Sequence, residues 1–155
     1  MPPPDTSALS AWDQWSPIVA LKANAIVYPL CEVVHLVAIG LLFGTIFLVD
    51  LRLLGFMRQF DANVLARAIL PWTLLGFVVA VLSGLTLFAM RIGEMLQNPF
   101  FIAKICLLFA AGSNAAVLHA RGPLDPGAAL TRGQAGVSLL IWVAAIFCGR
   151  WIAYV

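Results

Sequence analysis

The stretch AIVYPLCEVVHLVAIGLLFGTIFLV, residues 25–49, carries one carboxylate, Glu32, one histidine, His35, and no other charged side chain. A helix needs about 20 apolar residues to cross a hydrocarbon core about 30 Å thick, so this stretch is long enough to span a bilayer. Residues 68–90, 99–120 and 134–155 repeat the pattern. The sequence therefore predicts an all-α integral membrane protein. Short connections make successive helices antiparallel, which gives a four-helix up-down-up-down bundle.

Composition agrees with this class. Of 155 residues 63% are hydrophobic and 10% are charged, and the mean hydropathy is +1.00. The core of a soluble protein of this length could not bury so many apolar side chains. The net charge of +2 comes without a basic patch, so nucleic acid is not an expected partner. The sequence shows no nucleophile–base pair, phosphate loop or metal-hydrolase motif, and we expect no catalytic activity of the chain on its own.

The hydropathy pattern divides the chain into two regions. Residues 1–24 form a tail and a short interfacial helix, which Ser7 caps and whose Trp12 and Trp15 favour the headgroup region. Residues 25–155 form the four-helix domain, with spans at about 25–54, 67–91, 99–120 and 134–155.

The positions of the arginines predict the orientation of the chain in the membrane. Arg52, Arg58 and Arg67 lie between the first two spans, and Arg121 and Arg132 between the last two. Positive residues accumulate in cytoplasmic loops, so these connections are expected in the cytoplasm and both termini outside.

Small residues four apart predict where helices approach closely, because lipid offers no hydrophobic drive for helix association. Three spans carry such tracks: Gly40 and Gly44, then Gly76, Ala80 and Gly84, then Gly112 and Ala116.

The first span also carries a polar stripe. Tyr28, Glu32, His35 and Asp50 fall within about 100° on a helical wheel, so we expect them to face the bundle interior. Charged groups within a span are costly and often functional.

Depth divides the polar residues of the spans into two groups. The outer group is His35, Lys104, Arg150 and Glu32, and we expect Glu32 to pair with Lys104 or Arg150. The cytoplasmic group is Asp50, Arg52, Asn114 and His119, where His119 is an interfacial histidine that could bond Asp50.

The histidines suggest haem b. His35 and His119 differ in depth by roughly 15 Å, so one haem clamped by both is disfavoured. His35 as the iron ligand, with Lys104 and Arg150 beside the propionates, remains open. The alternative is that His35 bonds Glu32 or a carbonyl and only locks packing.

The cysteines offer a further alternative. Cys31, Cys106 and Cys148 lie at roughly the depth of His35, and a Cys/His cluster would bind a soft metal. No CxxC spacing supports such a site, and lone cysteines also serve as small apolar residues.

Several stretches resemble a family of small bacterial inner-membrane proteins of unknown function. They are Tyr28-Pro29, Glu32, His35, Gly44, Asp50 to Gly55, Pro71-Trp72, Gly76, Asn98-Pro99, Lys104, Asn114, His119, Ser138-Leu139, Trp142 and Gly149 to Tyr154. Some relatives distantly resemble the membrane part of copper-resistance and urate-oxidase-type proteins, where intramembrane histidines are suspected of handling haem or metal. The resemblance implies a multi-pass protein of the bacterial inner membrane and supplies no reaction.

Three functions remain. The first is a membrane electron-transfer or haem-associated subunit with its site around His35. The second is an accessory subunit whose buried charges fix packing, beside lipid, another membrane subunit or a second copy of the chain. The third is a small transporter or proton path along the polar stripe, against which the absence of broken helices counts.

Overall fold

Six helices make up the part of the chain that the computed structural model describes, which is Trp12 and residues 14–154. They are α1 (Ser16–Ala23), α2 (Val27–Leu53), α3 (Ala62–Met90), α4 (Ile92–Gln97), α5 (Pro99–Ala120) and α6 (Ala129–Trp151). Four of them, α2, α3, α5 and α6, are long and apolar enough to cross a membrane. The predicted all-α, four-span architecture is confirmed.

Capping residues explain where two of the spanning helices begin. The Asp61 carboxylate accepts hydrogen bonds from the main-chain N–H groups of Asn63 and Val64, both at 2.9 Å. This cap starts α3 at residue 62, where the predicted span begins at 67. Helix α6 starts at 129, where the predicted span begins at 134, and it has no side-chain cap. Asn98 caps α5 in the same way, directly before Pro99, as the Asn-Pro pair predicts.

Two glycines end helices in the connections on one side. Gly55 follows α2 with φ +100° and Gly122 follows α5 with φ +94°, backbone angles that favour glycine. Both connections, 54–61 and 121–128, lie at the same end of the bundle, which we call the loop end. The opposite end, with α1, α4 and residue 154, is the terminal end.

The spans pack as two antiparallel pairs. Helix α2 packs along α3, α5 packs along α6, and the pairs join mainly through α2 and α6. The backbones of α2 and α3 approach closely at Gly76 of α3, where an added Cβ would lie 2.9 Å from the main-chain nitrogen of Leu42. The track of Gly76, Ala80 and Gly84 is therefore the face of α3 that meets α2.

The other small-residue tracks do not form tight crossings, contrary to expectation. A Cβ added at Gly40, Gly44 or Gly112 would meet no atom within 4 Å. Only one track is needed for each close crossing, and α2 meets Gly76 with the backbone around Ala38 and Leu42 instead.

Each end of the bundle is tied by specific contacts. At the loop end Leu53, Ala62, Leu118, Leu124 and Ala135 form the buried core. At the terminal end the indole of Trp12 donates to the Ala89 carbonyl at 2.9 Å, and the rings of Trp12 and Trp15 lie 5.4 Å apart. The cap predicted at Ser7 lies outside the described residues.

The outer surface is apolar in the way that lipid requires. Large side chains that are more than half exposed include Leu36, Val37, Leu82, Phe109 and Leu140. In water such a surface would aggregate, whereas in a bilayer it faces hydrocarbon.

Candidate functional site

His35 occupies the interface between the first two spans. Its ring packs on Gly84 of α3, where an added Cβ would lie 2.9 Å from Cε1 of the imidazole. Nδ1 of the ring lies 2.9 Å from the Ser83 hydroxyl, and the Ala80 carbonyl lies beside the ring. Gly84 thus leaves room for the ring, and Ser83 holds it.

The Ser83 hydroxyl bears on the tautomer of His35. The hydroxyl lies 2.6 Å from the Val79 carbonyl and 3.3 Å from the Ala80 carbonyl, and when its one proton goes to its own helix it accepts from His35. In that arrangement Nδ1 carries the ring proton, and Nε2 presents a lone pair. Neutral imidazole with one nitrogen held by a hydrogen bond is the form in which histidine binds metals.

Lys104 reaches the same layer from α5. Its Nζ lies 3.3 Å from the position of a Cβ added to Gly149 of α6, and it is within electrostatic range of His35 and of the buried Cys148. Within the described part of the chain Lys104 forms no hydrogen bond or ion pair. All four spans thus contribute to one interior layer, which we call the inner polar layer: His35, Ser83, Gly84, Lys104, Cys148 and Gly149.

Arg150 does not join this layer, contrary to expectation. Its side chain is exposed, donates to the Tyr154 hydroxyl and stacks 4.8 Å from the centre of the Tyr154 ring. Tyr154 lies four residues later, in the turn that follows α6, and it holds the guanidinium at the terminal end beside Trp151.

Glu32 is also placed differently from the prediction. It is exposed, and the described residues contain no ion pair between it and Lys104 or Arg150. His35 and Ala38 lie on the face of α2 that points into the bundle, and Glu32 lies at the edge of the predicted stripe, towards the surface. Tyr28 lies at this edge too, where its hydroxyl accepts from Arg91 at 3.5 Å.

Arg91 links the terminal ends of α2, α3 and α4. It donates to Tyr28 and to the Glu94 carboxylate. The hydrogen bond to Tyr28, followed by that to Glu94, raises the pKa of the Arg91 guanidinium above its ordinary value. Arg91 therefore stays charged and anchors this end at the membrane surface.

A second polar group lies between α2 and α6 at the loop end. Asp50 is only 4% exposed, and its carboxyl lies within hydrogen-bonding reach of the buried Ser138 hydroxyl. One turn before Ser138 lies Gln134, whose main-chain carbonyl accepts from Asn114 at 3.1 Å. We call Asp50, Asn114, Gln134 and Ser138 the loop-end polar group.

Two residues predicted for this group lie elsewhere. His119 is exposed and bonds the Ala115 carbonyl of its own helix at 2.9 Å, so it does not meet Asp50. Arg52 donates to the Phe60 carbonyl and closes the connection after α2. Both sit at helix ends, where their own main chain offers the nearest partners.

Sequence reasoning missed Ser83 and Gln134 as site residues, and it named Ser138 only among the residues that carry the family resemblance. Each is an uncharged polar residue in a span, so none of them interrupts hydropathy. The signal that could have found Gln134 and Ser138 is their four-residue spacing, which places two polar side chains on one helix face.

The three cysteines are free, with Cys31 half-buried, Cys106 exposed and Cys148 buried. Among the described residues no group of three His, Cys, Asp or Glu side chains is placed to hold a metal ion.

Fold and polar interior together define a multi-pass helical membrane protein whose four spans all contribute to one interior layer. Residues 20–155 match a family described as a family of unknown function, DUF6644, and the chain belongs to that family. No curated protein and no solved structure matches the chain. The match covers every spanning helix, so the resemblance to a small membrane-protein family of unknown function is confirmed.

Proposed function

We propose that this protein is a membrane-embedded, haem-associated subunit of an electron-transfer system, with His35 as the iron ligand. The observation that carries the proposal is the contact of 2.9 Å between Nδ1 of His35 and the Ser83 hydroxyl. With Nδ1–H donated to Ser83, Nε2 has a free lone pair inside the membrane, which is how a ligating histidine is oriented.

Lys104 supports the same proposal. It brings a positive charge to the layer of His35, and no carboxylate of the described residues neutralises it. An anionic group such as a haem propionate would be stabilised there. A bound haem would supply a one-electron carrier. The role of the chain is to hold the imidazole, offer the counter-charge and exclude water.

A groove provides access to the site from lipid. It lies between α2 and α3, has a volume of about 310 Å³ and reaches Ser83, and its rim residues Leu30 and Leu82 are exposed. This volume is at the lower end of the range for small-molecule sites, so a porphyrin would require α2 and α3 to separate along the groove.

The accessory-subunit alternative has less support than the sequence suggested. It relied on an internal ion-pair network, and Glu32 and Arg150 both lie at the surface. A continuous proton path along the stripe is also weakened, because Thr45 between His35 and Asp50 bonds only carbonyls of its own helix.

We also propose the membrane in which the protein lies and its orientation there. The family resemblance supports the bacterial inner membrane, and the arginines of the two connections support a cytoplasmic loop end with both termini in the periplasm. A reporter that is active only in the periplasm should be active when fused after residue 155. If a reporter that is active only in the cytoplasm is active at that position instead, the orientation is the opposite of the one proposed. An electron carrier also requires a partner, either another membrane subunit or a second copy of the chain.

The test is a reduced-minus-oxidised absorption spectrum of the protein purified in mild detergent from haem-replete cells. We expect a Soret band that shifts on reduction, and we expect His35→Ala to lose it. The matched control is His119→Ala, which removes the other histidine from an exposed helix end and should leave the spectrum unchanged. A folded protein without haem, or a spectrum that survives His35→Ala, would refute the proposal.

A further inference from the structure

The loop-end polar group contains two buried oxygen atoms without a hydrogen-bond partner in the described part of the chain. They are Oδ2 of Asp50 and Oε1 of Gln134. Both are acceptors when the carboxyl is ionised, and a buried acceptor without a donor is costly. A hydrogen-bond donor is therefore needed beside these two atoms.

The spacing along α6 puts the two side chains within reach of each other. The Asp50 carboxyl lies against the Ser138 hydroxyl, and Gln134 precedes Ser138 by one turn on the same face of α6. Side chains at this spacing are neighbours, about 6 Å apart at Cβ, a distance that the long glutamine side chain can cover. Ser138 has one proton to donate, so it can satisfy one carboxylate oxygen and not the other.

No charged side chain of the described residues compensates Asp50. The basic groups nearest this end all bond main-chain carbonyls: Arg52 that of Phe60, Arg58 that of Gly55, Arg67 that of Asn63, His119 that of Ala115 and Arg132 that of Pro126. The carboxylates of Asp61 and Asp125 at the same end accept from main-chain N–H groups. Arg121 is exposed beyond the end of α5. An ionised Asp50 would thus be a buried charge without a counter-ion.

We propose that Asp50 is a proton-binding site, a carboxylic acid whose Oδ2–H donates to Oε1 of Gln134 while Ser138 donates to the other oxygen. One proton then satisfies both unpartnered atoms. A metal cation fits less well, because the group offers a single carboxylate and few further oxygens, whereas calcium takes six to eight oxygen ligands, often several carboxylates, and magnesium needs near-octahedral geometry. This site is at the opposite end of the bundle from His35 and is independent of haem.

The experiment is infrared spectroscopy of the full-length protein in lipid nanodiscs at neutral pH in sodium-free buffer. We expect the C=O stretch of a protonated carboxylic acid, and we expect Asp50→Asn to lose it. Asn keeps the size of the side chain, and its NH₂ can donate to Gln134 in place of the acid proton. Asp125→Asn removes a carboxylate from an exposed turn and is the matched control, for which the band should be unchanged. Glu32→Gln identifies any contribution from the exposed Glu32.

Gln134→Leu tests the acceptor. Loss of the hydrogen bond should shift the carboxylic band to higher frequency, and an unshifted band would refute the pairing. A wild-type protein without the band, or a band that survives Asp50→Asn, would overturn the proton site. A band that disappears when choline chloride is replaced by sodium chloride would assign the site to sodium and overturn it too. If Asp50→Asn does not fold, Asp50→Glu should shift the band.

Discussion

Single side chains decide the chemistry of the inner polar layer. When the Ser83 hydroxyl donates to its own helix it accepts from Nδ1 of His35, so one hydroxyl bears on the tautomer of a histidine on a neighbouring span. Gly84 contributes by having no side chain, because a Cβ there would occupy the position of the ring. Neither residue would be noticed in a search for charged groups.

Ser83→Ala tests this role. We expect the free energy of unfolding to fall by about 1 kcal/mol, because Nδ1 of the half-buried His35 loses its hydrogen-bond partner. Thermal unfolding in detergent measures the change, and under the haem proposal the Soret band should move as well. Thr86→Ala is the control, since the Thr86 hydroxyl bonds only the Leu82 carbonyl of its own helix. Equal losses in the two variants would mean that the bond to His35 contributes nothing.

At the scale of elements, α2 and α3 pack closely because the residues along one face of α3 are small. Gly76 brings the backbones into contact, and Ala38, Leu42 and Ala80 are buried around it. Contact with main chain cannot be relieved by a rotamer change, so volume added here must separate the helices.

Gly76→Ala should therefore lower the free energy of unfolding by about 1–3 kcal/mol. The control is Gly40→Ala on α2, where no atom lies within 4 Å of the added Cβ and stability should stay the same or rise slightly. Unfolding in a denaturing detergent compares the two. The packing described for α2 and α3 would be wrong if Gly76→Ala were neutral.

At the scale of the whole molecule, the two helix pairs are joined at the loop end by Asn63. Its amide donates to the Leu124 carbonyl at 3.0 Å and accepts from the Leu124 N–H at 2.8 Å. Leu124 belongs to the buried core, so this one side chain connects the start of α3 to the connection before α6.

Asn63→Ala leaves both main-chain groups of Leu124 without a partner, and we expect it to cost about 2 kcal/mol of unfolding free energy. Asn24→Ala is the matched control, because Asn24 makes one local bond to the exposed Ile26 N–H. Thermal unfolding should separate the two variants by several degrees. If they melt together, the tie between the pairs lies elsewhere.

The all-α class, the number of spans and the helix start at Pro99 could be predicted from the sequence because they depend on local properties. Hydropathy over about 20 residues determines insertion, and a cap acts within one turn. The proximity of Trp12 and Trp15 and the Gly76 track followed from the same reasoning, which failed for Gly40, Gly44 and Gly112.

Tertiary structure decides which polar side chains of the spans face the bundle interior. A wheel places Glu32 and His35 on one stripe, yet the rotation of α2 against α3 and α6 turns His35 inwards and leaves Glu32 outside. Asp50 faces Ser138 of α6 because of this rotation as well. The close backbone approach at Gly76 joins residues 34 positions apart, and no local pattern encodes their proximity.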